Sequence, residues 1–231
     1  MSTNNKPYTL LTQFLSDPKQ LLESLKKTKT VDRVANPDPK LFAAVKNSWN
    51  NLCFVKTRDN GLQGVLEEWG LKRFKLADVV IWSVRDVVVE SKKRTLKGTS
   101  KTELKKEVGG FVLLQMYKSG NVIEGYIDIL CSKPKSGQGI RLAEEAEKLA
   151  KAFGCTQMRL SSLTYVANFY KNKLGYREVN VPCSPQPRTE RRKPVRIPGS
   201  QSTAVNEHGL RMTKCLHNNW DPNKFITKLT G

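Results

Sequence analysis

The chain has 231 residues, 38% of them hydrophobic, which suits one large domain, or a smaller one with an extension, and excludes disorder throughout. Forty Lys and Arg against 21 Asp and Glu give a formal charge of +19, which attracts polyanions: nucleic acid, anionic lipid or a phosphate-rich cofactor. The densest apolar runs, Val79-Val80-Ile81-Trp82 and Val87-Val88-Val89, fall far short of the ~18 residues of a membrane helix, so no membrane span is expected.

The opening residues lack the basic start and apolar stretch of a secretory signal, and no arginine precedes Arg33, which argues against a transit peptide. Five cysteines (Cys53, Cys131, Cys155, Cys183, Cys215) with no CxxC pair read as reduced thiols in a cytoplasmic, reducing compartment. The spacing of Cys183, His208, Cys215 and His217 fits no usual zinc finger, and no metal site is expected.

Residues 1–75 read as a helical N-terminal region. Ser16-Asp17-Pro18 has the chemistry of a helix start, followed by Leu21, Leu22 and Leu25 on one face. Leu41, Phe42, Val45 and Trp49, and then Leu62, Val65, Leu66 and Trp69, recur at helical spacing, with the tryptophans as core anchors. Short strands rich in β-branched residues are expected at 79–82 and 87–89. Residues 91–107 carry seven Lys or Arg and read as a solvated loop able to pair with phosphates.

A hairpin follows: a strand over 111–117, the turn Ser119-Gly120-Asn121, and a strand over 122–131. Strict alternation puts Ile123, Gly125, Ile127 and Ile129 on one face of that second strand, and Glu124, Tyr126, Asp128 and Leu130 on the other. A helix over 140–153 has Leu142, Ala146, Leu149 and Phe153 as its buried stripe, Glu144–Lys148 and Glu147–Lys151 as i,i+4 pairs, and Gly154 as its stop. A strand over 157–163 and a helix over 165–174 ending at Gly175 complete a crossover that places two parallel strands in one sheet. Residues 182–209 hold five prolines with Arg188, Arg191, Arg192, Lys193 and Arg196, and read as a long extended loop before a closing strand over 210–216.

The segment that carries chemistry joins the hairpin to the first crossover helix: Lys133-Pro134-Lys135-Ser136-Gly137-Gln138-Gly139-Ile140-Arg141. A helix N-terminus behind a strand offers unpaired N–H groups and a positive dipole end to an anion, and Gly137 and Gly139 permit a sharp turn and close approach. The segment is neither a dinucleotide fingerprint nor a Walker A loop, and a plain structural turn is the ordinary alternative.

The hairpin, this turn, the helix, the next strand and the later run Asn168-Phe169-Tyr170-Lys171-Asn172-Lys173-Leu174-Gly175-Tyr176 resemble the GNAT acyltransferase superfamily over residues 110–180. The resemblance implies an α/β fold: a mixed twisted sheet flanked by helices over 76–231, with the helical region before it and the basic insertion 182–209 within it. It also implies an acetyl-CoA site at Ser136, Gly137, Gln138, Gly139, Ile140 and Arg141, where Ser136 replaces the usual Gln or Arg and Arg141 the usual small residue. Backbone groups around Ile129 and Cys131, where the strand splays, would meet the pantetheine arm. Tyr170 would be the general acid for the leaving thiolate, its ordinary alternative being an aromatic plug. Glu124 or Asp128 would accept the ammonium proton, their ordinary alternative being outward-facing strand acids.

Two readings of function stand at this point. One is an N-acetyltransferase passing the acetyl group of acetyl-CoA directly to an amine. The other is a catalytically inert fold that binds nucleic acid or another polyanion, or is held in a ribonucleoprotein or virion assembly, through basic residues at 92–106 and 188–196, among them Lys92, Lys106, Arg188 and Arg196.

Overall fold

The computed structural model describes residues 7–26, 43, 52, 73–74, 76–90, 102–119, 121–178 and 210–216. Six strands form one sheet in sequential order: β1 (Thr9–Phe14), β2 (Val79–Glu90), β3 (Thr102–Ser119), β4 (Val122–Ser132), β5 (Gln157–Ser162) and β6 (Leu210–Cys215). All neighbours run antiparallel except β4 and β5, which are parallel and joined through helix α2 (Gln138–Ala152). Helices α1 (Pro18–Lys26) and α3 (Ala167–Leu174) are the other two described.

The sheet is buried on both faces at its centre, which is why β2 opens on the unbroken apolar run Val79-Val80-Ile81-Trp82. On one face, Val79, Ile81, Val112, Leu114 and Ile127 pack against Leu142, Ala146 and Ala150 of α2, with Leu21 and Leu25 of α1 alongside. On the other, Val80, Trp82, Phe111, Leu113 and Ile129 pack with Leu15, Leu52 and Phe74. The rings of Phe74, Trp82 and Phe111 lie 5.5–5.9 Å apart, and Trp82 Nε1 donates to Gln13 Oε1 at 3.2 Å. Small residues bring α2 close to the sheet: a Cβ on Gly125 would stand 3.0 Å from the Ala150 Cβ. Helix α1 starts as its sequence dictates, with the Asp17 carboxylate accepting from the Lys19 and Gln20 amides at 2.7 and 3.1 Å.

Several sequence expectations need correction. The N-terminal region opens with a strand, β1, which pairs along β2 from Thr9↔Val84 to Phe14↔Val79; the expected helices over 41–49 and 62–69 lie largely outside the described residues. The two short strands near 80 are one twelve-residue strand with an irregularity between Ser83 and Val84. Part of the expected basic loop is strand: Thr102 to Glu107 extend β3 and pair with Glu90 to Arg85, leaving Lys105 and Lys106 exposed on it. The rest of residues 92–106, and all of 188–196, lie outside the described residues. The i,i+4 pairs on α2 are replaced by Lys148–Glu145 at 3.3 Å and by Glu147–Lys214 at 2.6 Å, the latter reaching from the helix to β6. Cys131 and Cys215 are each disulfide-bonded, not reduced thiols, whereas Cys155 is free and buried. Cys215 pairs with Gln157, which pairs with Glu124, seven residues from Cys131, so the two do not bond to each other. No helix among the described residues is long and apolar enough to cross a membrane.

Candidate active site

The expected turn is formed between β4 and α2. Gly137 takes a left-handed backbone, φ 71°, immediately before the helix; nothing lies within 4 Å of where its Cβ would be, so the turn opens outward. Ser136 Oγ donates to the Lys133 carbonyl at 2.6 Å and accepts from the Gln138 amide at 3.3 Å. The buried Gln138 side chain accepts from Ser83 Oγ at 2.7 Å and from Arg141 at 3.2 Å, and donates to the Ser136 carbonyl at 3.3 Å. These bonds fix the turn through side chains and leave Gly139 and Ile140 in the first helical turn, where amides have no partner inside the helix. No acid occupies that turn.

Gly139 is a position of close approach: a Cβ there would stand 3.0 Å from Ser132 Oγ and 3.5 Å from Phe169 Cζ. Arg141, the residue that departs most from the family pattern, turns aside: its guanidinium donates to the Tyr8 carbonyl at 3.0 Å, toward β1. Nearby, Glu107 holds Arg85 at 2.7 Å, pairs with Lys133 and accepts from the Tyr8 hydroxyl at 3.1 Å. Burial, and then the Arg85 charge, lower the Lys133 ammonium from its ordinary value. The turn thus brings the Gly139 and Ile140 amides, which lack partners inside the helix, to the positive end of α2 with Lys133, Lys135 and Arg141 near in sequence.

Ahead of the turn, β4 is interrupted. Leu113 pairs with Ile129 and Leu114 with Ile127, so Asp128 is an extra residue in the ladder, a β-bulge. The bulge overturns the expected alternation: Ile127 packs on the helix-covered face, Ile129 and Cys131 on the opposite face, and Leu130 returns to the first. Beyond the Ile127↔Leu160 pair, no ladder joins β4 to β5, and β5 continues with β6 alone. The β4–β5 ladder ends just before the segment where the resemblance implied a splay.

The two candidate bases lie on the same face, as expected, but in different surroundings. Glu124 is buried at the first pair of the β4–β5 ladder, accepting from its partner Gln157 and, at 3.0 Å, from Arg159. The facing Tyr117 hydroxyl is pushed up to about 12 by burial and by Glu124. Asp128 lies one residue beyond the last β4–β5 pair, its side chain only 2% exposed, 3.2 Å from Arg73 and 3.4 Å from Gln115 Nε2. Burial raises its carboxyl above 3.8, partly offset by the Arg73 charge. Tyr170 lies on the other face, buried in the helix-covered core with its ring edge-on to Phe169 at 5.1 Å and to Tyr176 at 5.8 Å; burial pushes its hydroxyl up to about 12. The phenol and Asp128 therefore lie on opposite faces of the sheet. Tyr8, Ser83 and Glu107 carry no local signal in the sequence because they reach the turn from distant parts of the chain, whereas Ser132 directly precedes it but is an ordinary strand serine until Gly139 is packed against it.

No family model and no curated protein matches this chain. Among solved structures, a chain of the NatC complex bound to Gag peptide and CoA overlaps 90% of this chain and 99% of its own, with 14% identity and a TM-score of 0.43. The PaiA N-acetyltransferase from Thermoplasma acidophilum, in complex with coenzyme A, overlaps 90% and 99% with 14% identity and a TM-score of 0.42. Tetrahymena GCN5 overlaps 91% and 96% with 12% identity and a TM-score of 0.42. Overlaps this loose carry no activity across. The molecule itself has the mixed six-stranded sheet flanked by helices that the resemblance implied, with a bulge in β4, a parallel β4–β5 ladder that ends early and a glycine turn before α2.

Proposed function

We propose that this protein is an acetyl-CoA-dependent N-acetyltransferase acting directly on an amine. The observation that carries the reading is the coincidence of the left-handed Gly137 turn at the α2 N-terminus with the parting of β4 from β5 at the Asp128 bulge. Acetyl-CoA would supply a thioester whose C–S bond breaks as the N–C bond to the amine forms. Gly139 and Ile140 would hold its phosphate through their amides, with the Ser136–Arg141 segment as the cradle. Backbone groups from Ile129 to Cys131, no longer paired to β5, would accept the pantetheine arm.

Asp128 is the better placed of the two acids to take the proton shed by the ammonium. It lies one residue beyond the last β4–β5 pair and burial raises its carboxyl, which suits a proton acceptor, whereas Glu124 is occupied in fastening β4 to β5. Tyr170 keeps its hydroxyl proton through neutral pH, as a donor to a leaving thiolate requires. Cys131 is disulfide-bonded and no nucleophile, which supports direct transfer without a covalent intermediate on the protein.

Titration calorimetry with acetyl-CoA tests the reading. Ser136→Asp sets a carboxylate at the helix N-terminus, which favours the helix dipole yet repels phosphate, so the fold is kept and binding weakens by at least about tenfold. Absence of acetyl-CoA binding by the unmodified chain would overturn the reading and turn attention to salt-dependent nucleic-acid binding through the basic segments.

A further inference from the structure

The Asp128 face of the sheet, where β4 and β5 part, carries charges that the transfer chemistry does not use. Tyr126 pairs with Arg159 on β5, at the penultimate level before the strands part. Beyond the last paired level, β5 offers Ser161 and β6 offers Arg211, which pair with each other. Met212 and Leu216 point into the helix-covered core, so alternation sends Arg211 to the other face, the face of Asp128 and Tyr126. The Tyr126 hydroxyl registers all of them: burial and then the Asp128 charge raise it, while Arg73, Arg159 and Arg211 lower it.

These guanidinium groups differ in employment. Arg159 is engaged by Glu124, and Arg73 by Asp128. Arg211 is exposed and makes no hydrogen bond or ion pair among the described residues. An acid on β4 and an uncommitted guanidinium on β6 thus stand on either side of the level where β4 and β5 part, more than about two strand spacings, ~10 Å, apart at the backbone. Tyr126 and Arg159, paired across β4 and β5, lie on the same face beside them. A polyamine or a lysine-rich tail entering here would bring a second positive charge against Arg211. An amine with an anionic group a few bonds away would meet opposite charge at both ends.

Resting on the acetyltransferase reading, we infer that the acceptor is a small amine bearing a carboxylate or phosphate, its ammonium directed to Asp128 and its anionic group to Arg211, with Tyr126 between them. A charge-assisted guanidinium–oxyanion contact is expected to favour an anionic amine by roughly tenfold in affinity.

The test uses the full chain with acetyl-CoA and follows release of the free thiol for glycine, glutamate and phosphoethanolamine against n-butylamine and spermidine. The expected result is a kcat/KM at least tenfold higher for an anionic amine than for n-butylamine or spermidine, with the carboxylate and phosphate probes telling the two anion types apart. Arg211→Gln should cut the ratio of anionic to neutral amine by at least tenfold, chiefly through KM, with the acetyl-CoA Kd unchanged, and Arg211→Lys should restore part of it. Equal use of neutral or polycationic amines, or a ratio indifferent to Arg211→Gln, would overturn the inference while leaving the acetyltransferase reading intact. If acetyl-CoA does not bind, that reading fails by itself. Saturation-transfer NMR of the same amines with the chain alone then decides the anion site, since loss of an anionic amine's signal in Arg211→Gln supports it and an unchanged signal overturns it.

Discussion

Glu124 and Asp128 lie on one face of one strand and are chemically near-identical, yet their surroundings assign them different work, and paired substitutions expose the difference. Glu124→Gln keeps the shape but removes the charge that Gln157 and Arg159 address. The Arg159 side chain is 37% exposed, so solvent screens its share to below about 1 kcal/mol. The buried bond from Gln157 carries more, since hydrogen bonds to charged groups contribute about 1.5–3 kcal/mol. The expected loss on urea denaturation is about 2 kcal/mol, with acetylation retained in the folded fraction.

Asp128→Asn should do the reverse. Stability changes by no more than about 1 kcal/mol, because burial already disfavours the wild-type carboxylate and the Arg73 side chain, 34% exposed, keeps its charge in contact with solvent when the partner is neutral. Turnover falls by about 10²- to 10⁴-fold. The pH dependence has a definite sign. Because the folded chain raises this carboxyl above 3.8, it binds the proton more tightly than the unfolded chain; that stabilisation is complete below 3.8 and is lost as pH rises through the folded value. Activity needs the ionised form, so the acid limb of the rate profile should lie above 3.8 and vanish in Asp128→Asn. A Glu124→Gln chain with wild-type stability and no turnover, beside an Asp128→Asn chain of normal rate, would refute this reasoning.

Tyr170→Phe should lower turnover by about 10²-fold or more while shifting stability by under about 1 kcal/mol, measured by thiol release and urea denaturation; with the phenol held near 12, wild-type activity should show no loss from this group through pH 9. Gly110→Ala should cost about 1–3 kcal/mol by overpacking, because the new Cβ would stand 2.7 Å from the Cys131 carbonyl oxygen, a backbone atom that cannot swing away as a side chain can.

Much of the site's frame was legible locally. The hairpin, the α2 stripe, the stops at Gly154 and Gly175, and the glycine turn all rest on signals within a few residues, and all are present, with φ 83° and 75° at the two stops. Their conformations follow from side-chain period and glycine's freedom, which need no distant partner. The bulge had no such signal. Strict alternation sent Ile129 with Ile127, and only the pairing of β4 with β3 reveals that Asp128 is supernumerary and that the residues after it change faces.

The same reason separates the other outcomes. Thr9–Phe14 becomes a strand because β2 offers an edge 70 residues away, and Thr102–Glu107 leaves the expected loop because Arg85–Glu90 pairs with it. Glu147 could be read as an i,i+4 partner of Lys151 until β6 brought Lys214 within 2.6 Å. The sequence by itself determined which segments can turn, cap and bury a stripe, because those properties belong to neighbouring residues. Tertiary structure decided which strand each edge meets, where the ladder ends, and which of two like carboxylates lies beyond its last pair, because each depends on backbone groups and charges supplied from elsewhere in the chain.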